Sequence, residues 1–157
     1  MIGTAAFAES AGSEFGLEFV EASGTRRRET LTVCASVSFE DVAPVRSFGW
    51  SKGSRSFAGW WWSATTGSHV GFESWLERDH VMLLDFDVDV VGLASQPFWL
   101  RWRGDGRDRR HAPDFFVRLA DGTGVVVDVR ADDRIEPLDA EAFAATARAC
   151  AQAGWLF

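Results

Sequence analysis

Between Pro113 and Arg130 the chain spells two short strands joined by a turn, and each outer end carries an aspartate. Phe115-Phe116-Val117-Arg118-Leu119-Ala120 and Val125-Val126-Val127 are β-branched and aromatic runs. Asp121-Gly122-Thr123-Gly124 between them is a tight-turn signal. In an antiparallel hairpin the start of one strand lies beside the end of the next. Asp114 and Asp128 are therefore predicted to be neighbours. Arg130 shares a face with Asp128, because side chains two apart on a strand point the same way. Two carboxylates so placed suit a hard cation such as Mg²⁺, which takes one or two carboxylates and keeps several waters. Asp128 follows three valines, where an unpaired buried carboxylate is costly, so a metal or an arginine (Arg118 or Arg130) is its natural partner.

The remaining chain supplies the scaffold. Residues 1–13 read as a flexible tail, followed by a single domain over 14–157, with a β-rich part at 14–69 and a core at 70–157. Phe15–Val20 is a candidate strand, Thr25–Arg28 a basic turn, and Leu31–Phe39 alternates like a half-buried strand. Pro44–His69 is broken by Gly and Ser into extended segments and turns. Its Trp60-Trp61-Trp62 run is read as packing, with a stacking platform for unpaired bases as the alternative. Val70–Phe86 has helical spacing and brings Glu73 and Glu77 onto one face. Phe98–Arg103 alternates as a strand. Pro137 opens a second helix with Asp139 as N-cap and Phe143, Ala147 and Cys150 or Ala151 as its apolar stripe. Gly154 stops it, and Trp155–Phe157 begins another strand. The predicted fold class is α/β, with a central mixed β-sheet flanked by helices and preceded by a small β-rich segment.

Composition narrows the classes of function. A chain of 157 residues that is 46% hydrophobic can bury a real core, which argues against general disorder. No apolar run spans a bilayer and the N-terminus lacks a basic, apolar leader, so the expectation is a cytoplasmic protein without membrane contact. Cys34 and Cys150 have no metal-motif spacing and read as two reduced, buried thiols. The net charge of −7 argues against a nucleic-acid coat protein, although a local basic face is compatible with it. Lys52 is the only lysine, so the cationic groups are arginines, which suit bidentate contact with phosphate. Arg101, Arg103, Arg107, Arg109, Arg110 and His111 crowd the stretch leading to Asp114. They form either a solvated turn or a track for a DNA backbone.

Pro113-Asp114 with Asp128-Val129-Arg130 resembles the PD-(D/E)xK nuclease signature. With Glu73–Asp79, Gln96-Pro97-Phe98, His111–Phe115 and Asp121-Gly122, the stretch from about Pro44 onward resembles the N-terminal catalytic domain of TnsA-like transposon endonucleases. The resemblance implies a restriction-endonuclease-like fold and a Mg²⁺-dependent endodeoxyribonuclease, with Mn²⁺ as a substitute metal. It would hydrolyse phosphodiester bonds of double-stranded DNA at transposon ends, beside a DDE-type transposase and an ATP-dependent regulator. Carried over by residue, it implies Asp114 as the central metal ligand, Asp128 as the second carboxylate and Glu77 as the helical glutamate. The family lysine falls on Arg130. Glu73 and Gln96 are secondary candidates, Gln96 with strand-end packing as its other reading. Two departures stand out: arginine replaces lysine at 130, and the family's further strand after the second helix has little chain left before Phe157. The alternatives are a catalytically weak DNA-binding subunit that docks a transposase, and a free-standing restriction or repair nuclease.

Overall fold

A computed structural model of the chain describes residues 13–47 and 57–157. The predicted tail falls almost wholly outside them, as do Phe48–Ser56 of the broken segment, with the lone Lys52. Among the described residues the chain is α/β, with three helices and three sheets. No helix is long and apolar enough to cross a membrane among the same residues, a statement that does not bear on β-barrels.

The first sheet has four strands: β1 (Gly16–Val20), β2 (Arg26–Thr30), β6 (Trp99–Gly104) and β7 (Arg107–His111), in the order β2-β1-β6-β7. The second is a hairpin of β3 (Gly59–Ser63) and β4 (Ser68–Phe72), and the third orders β5 (Val90–Ser95), β8 (Phe115–Leu119) and β9 (Gly124–Val127) as β5-β8-β9. Every pairing between these strands is antiparallel. Among the described residues the one parallel pairing is a bridge between Val125 and Leu156, so there the sequence expectation of a single mixed sheet gives way to three antiparallel ones. The β8–β9 hairpin forms as the sequence predicts, pairing Phe115 with Val127 and turning at Gly122 with a φ of 91°. Between β6 and β7, Asp105 and Gly106 both adopt positive φ, the geometry that lets a two-residue turn follow strand twist.

Three expected elements shift. Leu31 begins a one-turn helix, α1 (Leu31–Cys34), instead of a long strand. Strict alternation would bury Val33, whereas Val33 is exposed and Leu31, Cys34 and Phe39 enter the core, so spacing of three and more wins over spacing of two. The basic stretch at Arg26 is strand β2 and not a turn. The helix predicted from Val70 starts later, as α2 (Trp75–Phe86). Its first residues are spent on β4, and Ser74 caps the helix by accepting from the Glu77 amide at 3.1 Å.

Helix α3 (Pro137–Ala153) has Glu136 as its N-cap, with Asp139 at the third helical position returning the bond in a capping box. Gly154 closes it at a φ of 74° as predicted. Its buried face is Ala145, Thr146, Ala149 and Cys150, one step round from the predicted stripe. Ala147 is exposed. The small residues of that face sit in the first core, where the helix packs beside α1.

Two cores result. Phe39 anchors the first, with its ring 5.1 Å from both Phe19 and Phe98, 5.5 Å from Trp155 and 5.7 Å from Phe116. The second gathers Val70, Val81, Leu93, Phe115, Val117 and Val129 beneath α2. Cys34 and Cys150 are free and buried in the first core. Burial pushes their thiols up, to about 11 and about 12. Trp61 packs against the second core, while Trp60 and Trp62 are each 57% exposed, so the packing reading holds for the middle tryptophan alone.

A Cβ added at Gly124 would lie 2.8 Å from both Phe116 and Trp155. Gly124→Ala is expected to destabilise the protein by about 1–3 kcal/mol in urea unfolding, since overpacking a closed core forces rings off their rotamers. An unchanged midpoint would show that the two rings give way.

Candidate functional site

The ends of β5, β8 and β9 meet the start of α2 at a cleft of about 290 Å³. Glu73, Glu77 and Asp114 supply its carboxylates, Arg46, Arg110 and Arg130 its cations, and Trp99, His111 and Ala112 complete its wall. The strand ends are held in register by main-chain bonds. Asp114 N donates to the Val127 carbonyl at 3.1 Å and Gln96 N donates to the Asp114 carbonyl at 2.8 Å.

Asp114 has a single side-chain hydrogen bond among the described residues. Its Oδ2 accepts from the Val129 amide at 2.7 Å, a bond that bends the chain leaving β9 back over the start of β8. Burial pushes its carboxyl up to about 7, with the charge of Glu77 adding to the rise. The Val129 bond and, more weakly, Arg130 oppose it, while Asp128 adds a smaller push upward. Glu77 is also buried and raised, first by desolvation, with the nearby Glu73 charge acting in the same direction. Its oxygens are used locally: Oε2 accepts from the Glu73 amide at 2.8 Å and Oε1 from the Ser74 hydroxyl at 3.2 Å. Glu77 thus closes the first turn of α2 while facing the cleft. Glu73 is held from two sides, by Arg46 at 3.0 Å and by the Gln96 amide at 3.0 Å.

Asp128 is placed differently from its neighbours. It is a sheet neighbour of Asp114 in the sense predicted, but its carboxylate faces away from the cleft. Both its oxygens lie 2.9 Å from His111 Nε2, and its side chain is 4% exposed. His111 stands between it and the cleft, packed edge-on to Phe143. Arg130 reaches the cleft rim, with its Nε 3.8 Å from Asp139, and its charge is felt at both Asp114 and Glu77. Among the described residues no three His, Cys, Asp or Glu side chains are gathered as a ready-made metal-ligand group.

Strand alternation divides the arginines predicted to contact DNA. Residues opposite each other in the β6–β7 ladder share a face, so Arg101, Arg103 and Arg110 lie on one side and Arg107, Arg109 and His111 on the other. Arg109 faces Glu141 on α3 at 3.5 Å, and Arg101 faces Glu18 at 3.3 Å.

Two features escape sequence reasoning. Gln96 is 1% exposed, holds a φ of 43° and keeps its Oε1 buried without a hydrogen-bond partner among the described residues. The residue that precedes a proline is biased to extended backbone, which hides this left-handed geometry. Asp85 accepts from Trp61 Nε1 at 2.9 Å, from the Ser63 hydroxyl at 2.6 Å and from the Ala64 and Thr65 amides. Those bonds hold its carboxyl well below the usual range and tie the tryptophan hairpin to the end of α2. No sequence spacing links residues so far apart. No family model matches the chain, and no curated protein matches it.

Asp114 yields a pH prediction. Its folded value of about 7 lies above the ~3.9 of an unfolded aspartate, so the native state holds this proton more tightly. Its contribution to stability is complete below about pH 4 and is lost as pH rises through 7. Asp114→Asn keeps an acceptor for Val129 and removes the charge. The variant should exceed wild type in stability at pH 8, by on the order of 2 kcal/mol, and match it near pH 4. Parallel urea-stability curves across that range would contradict the assignment.

Proposed function

We propose that the chain is a metal-dependent endodeoxyribonuclease with a restriction-endonuclease-like core, of the TnsA-like type. The observation that carries this reading is the convergence of Asp114, Glu77 and Glu73 with Arg46, Arg110 and Arg130 in one cleft. Buried carboxylates that raise one another's proton affinity are relieved by a divalent cation. The donor set fits Mg²⁺ or Mn²⁺: hard oxygens, three carboxylates lining one cleft, and room for water and a phosphate. Asp114, with Glu77 or Glu73, would hold such an ion. The ion supplies charge neutralisation at the phosphate and a more acidic bound water.

The protein's own groups account for the remaining roles. Asp114 is fixed through Oδ2 by the Val129 amide and lines the cleft. Arg130 and Arg110 offer positive charge to a phosphate at the rim, where charge develops during phosphodiester hydrolysis. In this reading Asp128 serves through His111, whose ring it orients, rather than as a direct ligand. The order of helix, strand, hairpin and helix around the Pro113-Asp114 and Asp128-Val129-Arg130 motifs is consistent with the resemblance. A DDE-type transposase and an ATP-dependent regulator as partners, transposon ends as substrate and a cytoplasmic setting rest on that resemblance alone.

One observation favours the second reading, a DNA-binding subunit of weak activity. Both oxygens of Glu77 close the start of α2, and the cation at 130 is an arginine that does not give up its proton. Cleavage of supercoiled plasmid with Mg²⁺ or Mn²⁺ separates the two. The nuclease reading expects wild type to nick, Asp114→Ala to lose about 100-fold or more, and Arg130→Lys to cut faster than wild type. Equal background cutting by all three removes the enzyme and leaves the binding subunit.

A further inference from the structure

The outer face of the four-stranded sheet carries five arginines against two carboxylates. Cross-strand partners share a face. The pairs Glu18–Arg28, Val20–Arg26 and Glu18–Trp99 place Arg26 and Arg28 of β2 on the same side as Arg101 and Arg103 of β6 and Arg110 of β7. The acids of that face are Glu18 and Asp108. Leu17, Phe19, Leu100 and Trp102 point to the opposite side and fill the first core, which confirms the division. The face thus has a local excess of three positive charges in a chain whose net charge is −7.

Folding alone does not call for this arrangement. Arg101 and Arg110 stand directly opposite each other, and like charges so placed weaken a sheet. The arginines are spread and held flat: Glu18 takes Arg26 at 2.8 Å and Arg101 at 3.3 Å, and the Arg110 guanidinium lies over Trp99, 4.3 Å from the ring centroid. Arg26, Arg28, Arg103 and Arg110 are exposed. From β2 to β7 the face spans three strand spacings, about 14 Å. A duplex strand offers a phosphate about every 3.4 Å along its axis, so several phosphates fall within that width. Trp99 and Arg110 also line the Asp114 cleft, so the face runs into it without a break.

We propose that this outer sheet face, with Arg26 and Arg28 at its far end and Arg110 at the cleft, binds the phosphate backbone of duplex DNA and guides it to Asp114. The choice of duplex DNA as the polyanion rests on the nuclease reading. The face itself does not, and its test uses no metal. Arg107 and Arg109 are excluded by their position on the helix side of the sheet.

Binding of a short fluorescent duplex is measured by anisotropy in EDTA over a range of salt. The proteins compared are wild type, Arg26→Gln/Arg28→Gln, and the charge-matched control Arg134→Gln/Arg148→Gln. The face variant should bind at least ~10-fold more weakly at low salt and flatten the log–log salt slope by about 2, and the control should do neither. In the wild-type protein, bound duplex should shield Arg26, Arg28 and Arg103 from an arginine-modifying dicarbonyl and leave Arg134 open to it, a readout independent of how the variants fold. Equal losses in face and control variants, absence of salt-dependent binding, no shielding, or tighter binding of single-stranded RNA than of duplex DNA would each overturn the proposal. Cleavage lost with binding intact would sink the nuclease reading alone.

Discussion

Strand β8 is buried on both faces from Phe115 to Val117, and that constraint organises the molecule. It lies between β5 and β9, and its alternating side chains feed different cores: Phe116 joins the cluster around Phe39, while Phe115 and Val117 join the one under α2. A strand buried on both sides tolerates no slip of register, since one step would exchange the two sets of side chains. Its partners are fixed with it. The end of β5 and the exit from β9 are both hydrogen-bonded to Asp114, at the residue where β8 begins. A strand that feeds both cores thus determines where the least comfortable carboxylate lies.

Much of this was legible in the residues. The hairpin, the turn at Gly122, the stop at Gly154 and the adjacency of residues 114 and 128 all follow from local rules of turn chemistry and strand period. The helix carrying Glu77 was legible too, although its start was read too early because β4 has the same apolar density as a helical turn. What local rules do not carry is the direction of a carboxylate at a strand end. Asp128 was read as sharing a cation with Asp114, and its carboxylate instead pairs with His111, brought alongside by a different sheet. The arginines around 101–110 looked like one track, but a hairpin laid into a sheet sends alternate side chains to opposite faces. Arg26 and Arg28 were read as a turn, so their place beside that track depended on a pairing between strands more than 80 residues apart in sequence (Glu18 with Trp99), which no window of sequence displays.

The cleft shows how a sheet and a helix together concentrate charge that neither would hold alone. Glu77 gains two local hydrogen bonds by closing α2, and Glu73 gains an arginine and an amide. Among the described residues Asp114 has one such hydrogen bond, from the Val129 amide, with weaker help from the Arg130 charge, which leaves it the group most easily altered by an arriving cation or proton. Gln96 supports the same geometry at some cost: a left-handed backbone and a buried acceptor without a partner among the described residues persist only where surrounding structure insists on them.

The two thiols provide an internal reporter. Both are walled off inside one core and hold their protons far above neutral pH, so the folded molecule offers an alkylating reagent almost no thiolate. Cys34 belongs to the short helix after β2, and Cys150 to the last turns of α3. Their labelling rates therefore time how often each end of the chain lifts off the sheet, and any difference between the two rates distinguishes fraying of one end from opening of the whole core.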